Sequence, residues 1–272
     1  MPEREKRLFK KEKTYADSKG ENYRRLLVLR STGSQEGVEL AEKLLLCEPK
    51  NPCRSGACHS CNWLERHLAI RQAMKIFDGL RPVYMLTLLP PDMFMSAADL
   101  SSVDVRKLKN RINKQLSRSA LKTAIIFGYV EAVFRPELNK LSVHLHLIIG
   151  GASLDAVEDF RRYYAGYREM RVDRVTIKFP MLLKVWRKSK RRGESRRRRM
   201  RRIGIAIDES RRKTMSYALK NTTGYRKSKN SRYRAAPEDV ETAHLLWLDK
   251  TSFRQRLYLQ GLQYRSDKMT LR

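Results

Sequence analysis

The sequence predicts an α+β fold, a central antiparallel sheet with flanking helices, preceded by a small zinc-binding module. Three observations predict it. Residues 123–134 and 142–150 are strand-like apolar runs on either side of a turn-rich link, as in a hairpin. Helical periodicity recurs before and after them, most clearly over 97–118. All four cysteines crowd into one stretch ahead of the first strand. The resulting order, β–α–β–β–α–β–α, suits an antiparallel sheet backed by helices better than a regular βα alternation.

Taken in order, residues 1–25 are polar and highly charged and read as a mobile basic arm. GVELAEKLLL (37–46) has helical spacing and leads into the cysteines. NWLERHLAIRQAMKIFDGL (62–80) places Trp63, Leu64, Leu68, Ile70 and Ile76 roughly on one helical side, with Gly79 marking its end. PVYMLTLL (82–89) reads as a strand stopped by Pro90 and Pro91. The helix over 97–118 sets Leu100, Val103, Val105, Leu108, Ile112 and Leu116 among Arg and Lys. TAIIFGYVEAVF (123–134), RPELNKL and SVHLHLIIG (142–150) form the hairpin. Residues 153–169 read as helix and VDRVTIKF (172–179) as an alternating strand. GIAID (204–208) reads as a last strand, ESRRKTMSYALKNTTG (209–224) as a helix closed by Gly224, and 241–265 as a helix rich in Leu, Trp247 and Tyr. No internal repeat is present. The chain therefore divides into a basic flexible arm (1–35), a cysteine module with its helix (36–80), a sheet domain (81–225) and a C-terminal helical segment (226–272).

Composition limits the function. Among 272 residues, 59 Lys and Arg stand against 29 Asp and Glu, a formal charge of +30. That balance does not suit a secreted disulfide scaffold, and no run of about 18 apolar residues could span a bilayer. The N-terminal MPEREKRLFKKEKTYADSKG has no apolar stretch after its basic residues, so no secretory signal is read and a cytoplasmic location is expected, with no membrane partner. With 41% apolar residues a real core can form. An excess of cations this large points to a polyanion, nucleic acid ahead of a membrane surface, because each neutralised phosphate releases counterions. Charge gives the partner class and not the chemistry.

Cys47, Cys53, Cys58 and Cys61 are separated by five, four and two residues. In a basic protein without a signal, such clustering indicates a metal rather than disulfides. Four thiolates complete the closed tetrahedral shell of a structural Zn²⁺ site. Pro49, Asn51, Pro52 and Gly56 supply the turns. His59 could replace one cysteine, and His67 lies six residues beyond Cys61. The alternative is four free thiols, or two bridges, in a flexible loop.

His144 and His146 flank Leu145 in an otherwise apolar strand, so both imidazoles project from one face. Glu131 lies mid-strand between Val130 and Ala132, where a carboxylate is costly unless paired or ligated. Hairpin pairing can bring it to the histidines as a third ligand. Two His and a carboxylate with open positions suit Mg²⁺ or Mn²⁺, which can polarise a phosphate oxygen. The plainer alternative is a core histidine with Glu131 paired to an Arg. In KTMSYALKN, Lys213, Tyr217 and Asn221 share a helical face and Lys220 stands nearby. A phenol of pKa about 10 becomes a better nucleophile beside an ammonium and a metal-bound phosphate. Taken alone, Tyr217 reads equally as a packing residue at the core edge.

HLHLII (144–149) resembles the His-hydrophobic-His motif of the HUH endonucleases. MLTLLPPD (85–92) is similar to the upstream strand motif of that superfamily, and YALK (217–220) to the Tyr-x-x-Lys motif of plasmid rolling-circle replication initiators. CRSGACHSCNWLERHLAIRQ resembles the cysteine module with a basic helix that precedes the nuclease in one group of those initiators. The four motifs stand in the family's order and cover most of 47–224. The resemblance implies an HUH endonuclease-like nuclease domain over 81–225. His144, His146 and Glu131 would hold Mg²⁺ or Mn²⁺, and the four cysteines Zn²⁺. Tyr217 would attack a backbone phosphate of single-stranded origin DNA, leaving a 5′-phosphotyrosine and a free 3′-OH that primes rolling-circle replication. Lys220 would position the phosphate or stabilise its charge. Host helicase and polymerase would be further partners.

Two departures stand against that pattern. A glutamate about one turn before the tyrosine is expected to activate water for termination, and Lys213 stands there instead. The tract RKSKRRGESRRRRMRR (187–202), eleven of sixteen residues Lys or Arg, interrupts the stretch between metal strand and tyrosine helix. It reads as a solvated loop in its ground state. On DNA, Arg191, Arg192, Arg196, Arg197, Arg198 and Arg199 would clamp phosphates without base readout. An HUH-type single-strand transposase is the alternative enzyme, which Tyr225 keeps open as a second tyrosine. A non-catalytic zinc-containing nucleic-acid-binding protein is the alternative of another class; it leaves the histidines and Glu131 without a role.

Overall fold

The structure is a computed structural model that describes residues 15–80, 82–90, 92–163, 169–172, 175–178, 184–185, 215, 219, 235–266 and 268–272. It begins with helix α1, Tyr15–Ser31, in a segment that composition assigns to the basic arm. The reason is a mixed stripe: Ser18, Asn22, Arg25 and Leu29, at spacings of one helical turn, are all buried. Polar residues fill the inward face, so a count of apolar residues misses it. Helix α2, Gln35–Leu45, starts where the Ser34 hydroxyl accepts from the Gly37 N–H. The cysteine loop follows, then helix α3, His59–Asp78, a few residues longer at its start than predicted.

The sheet is built from Val83–Leu88 (β1) and the short Phe94–Met95 (β2), then a 3₁₀ turn, Ala98–Ser102, and helix α4, Val105–Ser117. The Asp104 carboxylate caps α4 through the N–H groups of Arg106 and Lys107, which divides the predicted 97–118 helix in two. Ile125–Arg135 (β3) and Lys140–Gly150 (β4) are the predicted hairpin. They pair antiparallel from Ile125 opposite Gly150 to Arg135 opposite Lys140, around a turn in which Asn139 takes φ 50°. Next come helix α5, Leu154–Tyr163, and the hairpin of Glu169–Val172 (β5) with Val175–Lys178 (β6) where one strand over 172–179 was predicted. Lys184–Val185 (β7) pairs with β1.

The C-terminal segment departs most from expectation. Helix α6, Glu238–Lys250, stops where Thr251 turns extended, and the one-turn helix α7, Phe253–Arg256, leads into Leu257–Gln260 (β8). Leu262–Arg265 (β9) and Lys268–Leu271 (β10) form a last hairpin. Instead of continuing a helix, β8 adds an edge strand beside β3, with Tyr129 opposite Leu257 and Ile126 opposite Gln260. Among the described residues the sheet order is β7-β1-β4-β3-β8, with β2 on β4, and all these pairings are antiparallel.

Alternation along the strands gives the sheet two buried faces. One face carries Leu141, Val143, Leu145, Leu147 and Ile149 of β4 against Leu108, Ile112 and Leu116 of α4. The same cluster runs on through Leu26, Leu40, Leu44, Ala57 and Cys58, so the cysteine module and the sheet share one core across the predicted boundary at residue 80. The other face sets Met85, Phe127, Tyr129 and Ile148 against Ala69, Ile70, Ala73 and Phe77 of α3, with Met215 and Leu219 in the same cluster. Ser31–Glu238, Arg24–Glu241 and Lys43–Asp249 contacts fasten α6 to α1 and α2. Among the described residues, no helix is long and apolar enough to cross a membrane. The predicted strand over 204–208 and the tract 187–202 lie outside the described residues, as does most of the helix over 209–224.

Candidate metal centres

The four cysteines, 14 residues apart at the extremes, converge. Their sulfurs lie within 4.8 Å of one another, with 3.5 Å between Cys58 and Cys47, 3.6 Å between Cys47 and Cys61 and 3.8 Å between Cys53 and Cys61. A metal–sulfur bond of about 2.3 Å in a tetrahedron places sulfurs about 3.8 Å apart. The thiols therefore fit a shared ion, and all are far beyond the ~2.05 Å of a disulfide bond. Neither His59 nor His67 belongs to the group; the His67 ring meets the Trp63 carbonyl at 2.6 Å.

Local structure prepares Cys58 to be a thiolate. It is the N-cap of α3, where its sulfur accepts from the Cys61 N–H at 3.4 Å and from the Asn22 side-chain amide at 3.2 Å. The partial positive end of a 20-residue helix adds to this. Hydrogen bonds from Cys53 and Cys61, then those from the Cys61 backbone and Asn22, lower its pKa against the opposing effect of burial. Arg25, itself buried, donates to the Ala57 carbonyl at 2.6 Å and holds the loop from α1. Gly56 is the close approach: a Cβ there would sit 2.0 Å from the Leu248 carbonyl oxygen of α6.

The second centre lies on the sheet. His144 and His146 point to the α3 face of β4, and the hairpin register sets Glu131 directly opposite His144. The two Nε2 atoms are 3.1 Å apart; the Glu131 Oε2 atom is 3.1 Å from His146 Nε2 and 3.4 Å from His144 Nε2. All three residues are buried. An ion about 2.1 Å from each donor requires donors roughly 3.0 Å apart at right angles and 3.4 Å at tetrahedral angles. The observed triangle fits that range, so the triad could hold a metal ion. Burial alone would push the Glu131 carboxyl up, but hydrogen bonds and charge from both histidines hold it down, at about 2. Both outer ring nitrogens are also engaged. His144 Nδ1 faces the Ser142 carbonyl at 3.3 Å, and His146 Nδ1 faces Thr87 Oγ1 at 2.8 Å. With the Nδ1 proton donated to those oxygens, each Nε2 lone pair is turned toward the centre.

Sequence reasoning identified all seven of these side chains and missed their supports. Thr87 stands in the strand motif quoted above, directly opposite His146 in the β1–β4 register. Tyr129, two residues before Glu131 on the same face, is buried under the Arg256 guanidinium, 5.0 Å from its ring centre. Period-2 spacing from Glu131 was the available signal for Tyr129; none pointed to Arg256. Tyr217, Lys220, Arg191, Arg192, Arg196, Arg197, Arg198 and Arg199 lie outside the described residues. Their described neighbours Met215 and Leu219 form one helical turn, Leu219 N–H to the Met215 carbonyl at 3.2 Å, packed on the triad's face of the sheet.

Compared with known proteins, the chain matches no family model, no curated protein and no solved structure at a significant level.

Proposed function

We propose that the chain is a divalent-metal-dependent nickase of single-stranded DNA that acts by tyrosine transesterification, as a replication initiator does at its origin. The observation that carries this reading is the triangle of His144, His146 and Glu131 donors, buried and braced from outside by Thr87 and the Ser142 carbonyl. An Mg²⁺ or Mn²⁺ ion there supplies charge to a non-bridging phosphate oxygen. The rest is the chain's own work. Glu131 and the two imidazoles fix the position at which the phosphate is held. The Tyr217 phenolic oxygen attacks phosphorus, the P–O3′ bond breaks, and the phenolic proton passes toward the departing 3′ oxygen. The 5′ end stays on the protein as a phosphotyrosine. Lys220 balances charge on the phosphate, and the arginine tract 187–202 adds affinity through phosphate contacts. At the cysteine cluster the ion is Zn²⁺ in a closed, structural site.

The test uses a 5′-phosphate-internal-labelled origin strand with Mn²⁺. The expected product is an SDS-resistant protein–DNA adduct that requires manganese, is lost in Tyr217→Phe and is lost in the His144→Ala/His146→Ala pair, with strand binding retained in all. An adduct that persists in Tyr217→Phe removes Tyr217 as nucleophile; no cleavage under any divalent ion removes the nickase.

A further inference from the structure

Outside the triad, two clefts flank the open edge of β8. The smaller, of about 350 Å³, is lined by Lys109 and Asn113 of α4, Arg254 of α7, Tyr258 of β8, Tyr264 of β9 and Arg272 among others, and no Asp or Glu contributes to it. The larger, of about 720 Å³, lies against Cys47 and Cys61 and is floored by Pro49, Pro52, Trp63, Leu64 and Leu68, with Glu48 and Glu65 on its wall. Arg254 lines both.

The two clefts differ in a way that selects different parts of one ligand. In the smaller, Lys109 Nζ donates to the Gln255 carbonyl at 2.9 Å and Arg254 stands 5.5 Å over the Tyr264 ring. Burial alone lowers the Lys109 pKa, so an anion alongside would restore an interaction that solvent no longer supplies. Cations without a carboxylate, next to hydroxyl and amide groups, suit a phosphodiester. The larger cleft carries two carboxylates that repel phosphate, yet its indole, prolines and leucines suit a neutral planar ring. Leu64 is 53% exposed, which leaves the apolar wall accessible. A nucleobase stacks on such a surface with little regard to its identity, and only an unpaired base can enter a concave cleft.

We infer that these clefts form an accessory single-strand subsite on the β8 edge, with a backbone phosphate held by Lys109, Arg254 and Arg272 and an adjacent unpaired base against Trp63 and Leu64. It rests on the nucleic-acid reading above and is independent of the nicking chemistry. Its role is to grip the strand outside the metal centre, on the side opposite β7 in the sheet order.

The test keeps chemistry out. Full-length protein carrying His144→Ala/His146→Ala is titrated with a fluorescent dT12 strand, without divalent ion, over a range of salt. Trp63→Leu is expected to weaken binding about tenfold, within the span known for loss of one stacked base. Lys109→Met/Arg254→Met is expected to reduce the slope of log affinity against log salt by about 1.4, from two lost phosphate contacts at ~0.7 each. Lys75→Met, on the far turns of α3, serves as the control for a general charge effect. Crosslinking of a bromodeoxyuridine strand, read by peptide mapping, is expected at 60–68 or 254–264 and tests the site even if Trp63→Leu unfolds. Unchanged slope in the double variant, a loss no greater than that of Lys75→Met, crosslinks confined to other segments, or equal affinity for duplex or for a polyglutamate peptide each overturns the subsite. Nicking that fails while these results hold rejects the nickase alone.

Discussion

Thr87→Val isolates the brace on the second imidazole. The two side chains share a β-branched shape, so strand pairing and packing are kept and only the hydroxyl is removed. That hydroxyl is 2.8 Å from Nδ1 of a histidine 2% exposed, so water has little access to replace it. Two costs follow. The buried ring nitrogen loses a partner, about 1–3 kcal/mol of stability. The imidazole also loses the contact that fixes its tautomer and orientation, which lowers metal affinity about 10- to 100-fold, or ~1.4–2.7 kcal/mol. Titration of Mn²⁺ followed by electron paramagnetic resonance measures the second cost, and chemical denaturation of the metal-free protein measures the first. The argument requires coupling: in a His146→Ala background, Thr87→Val should change Mn²⁺ affinity by less than ~0.5 kcal/mol. An undiminished Mn²⁺ affinity in Thr87→Val, or an equal loss in the His146→Ala background, would refute the reasoning.

Three more outcomes follow from the geometry. The Glu131 carboxyl, at about 2 rather than its ordinary 4.5, adds stability that is fully present above 4.5 and is lost as pH falls toward 2. The stability gap between metal-free wild type and Glu131→Gln should therefore narrow across that window, and a pH-independent gap would contradict it. Gly56→Ala drives a methyl into the Leu248 carbonyl and should cost at least ~3 kcal/mol in denaturant unfolding, with loss of bound zinc. Cys58→Ser keeps a hydroxyl able to cap α3 but removes a thiolate; zinc content by mass spectrometry should fall well below that of wild type, and a full equivalent retained would exclude Cys58 as a ligand.

The centre of the fold was legible because its information is local. Strand-like runs joined by a turn-rich link define the hairpin, and period 2 places His144, His146 and Glu131 on one face before any register is known. The cysteine cluster was legible for the same reason: its residues are adjacent in sequence. What escaped depends on distant pairing. Thr87 becomes a brace only once β1 lies beside β4, and LYLQ becomes a strand only beside β3, more than 120 residues earlier. Helix α1 escaped because its inward face is Ser18, Asn22, Arg25 and Leu29, polar groups whose burial is repaid by partners such as Ala57 and Cys58.

Helix α3 belongs to both centres. Its first turn holds two of the sulfurs, and its later turns, Ala69 to Phe77, form the layer that covers the imidazole-bearing side of the strands. Oxidant that strips the cluster of its thiolates would therefore loosen the lid over a reaction site to which no sulfur belongs. The chain carries its redox vulnerability and its hydrolytic-class chemistry on one rod, and exposure to peroxide becomes a means of silencing strand scission without touching a histidine.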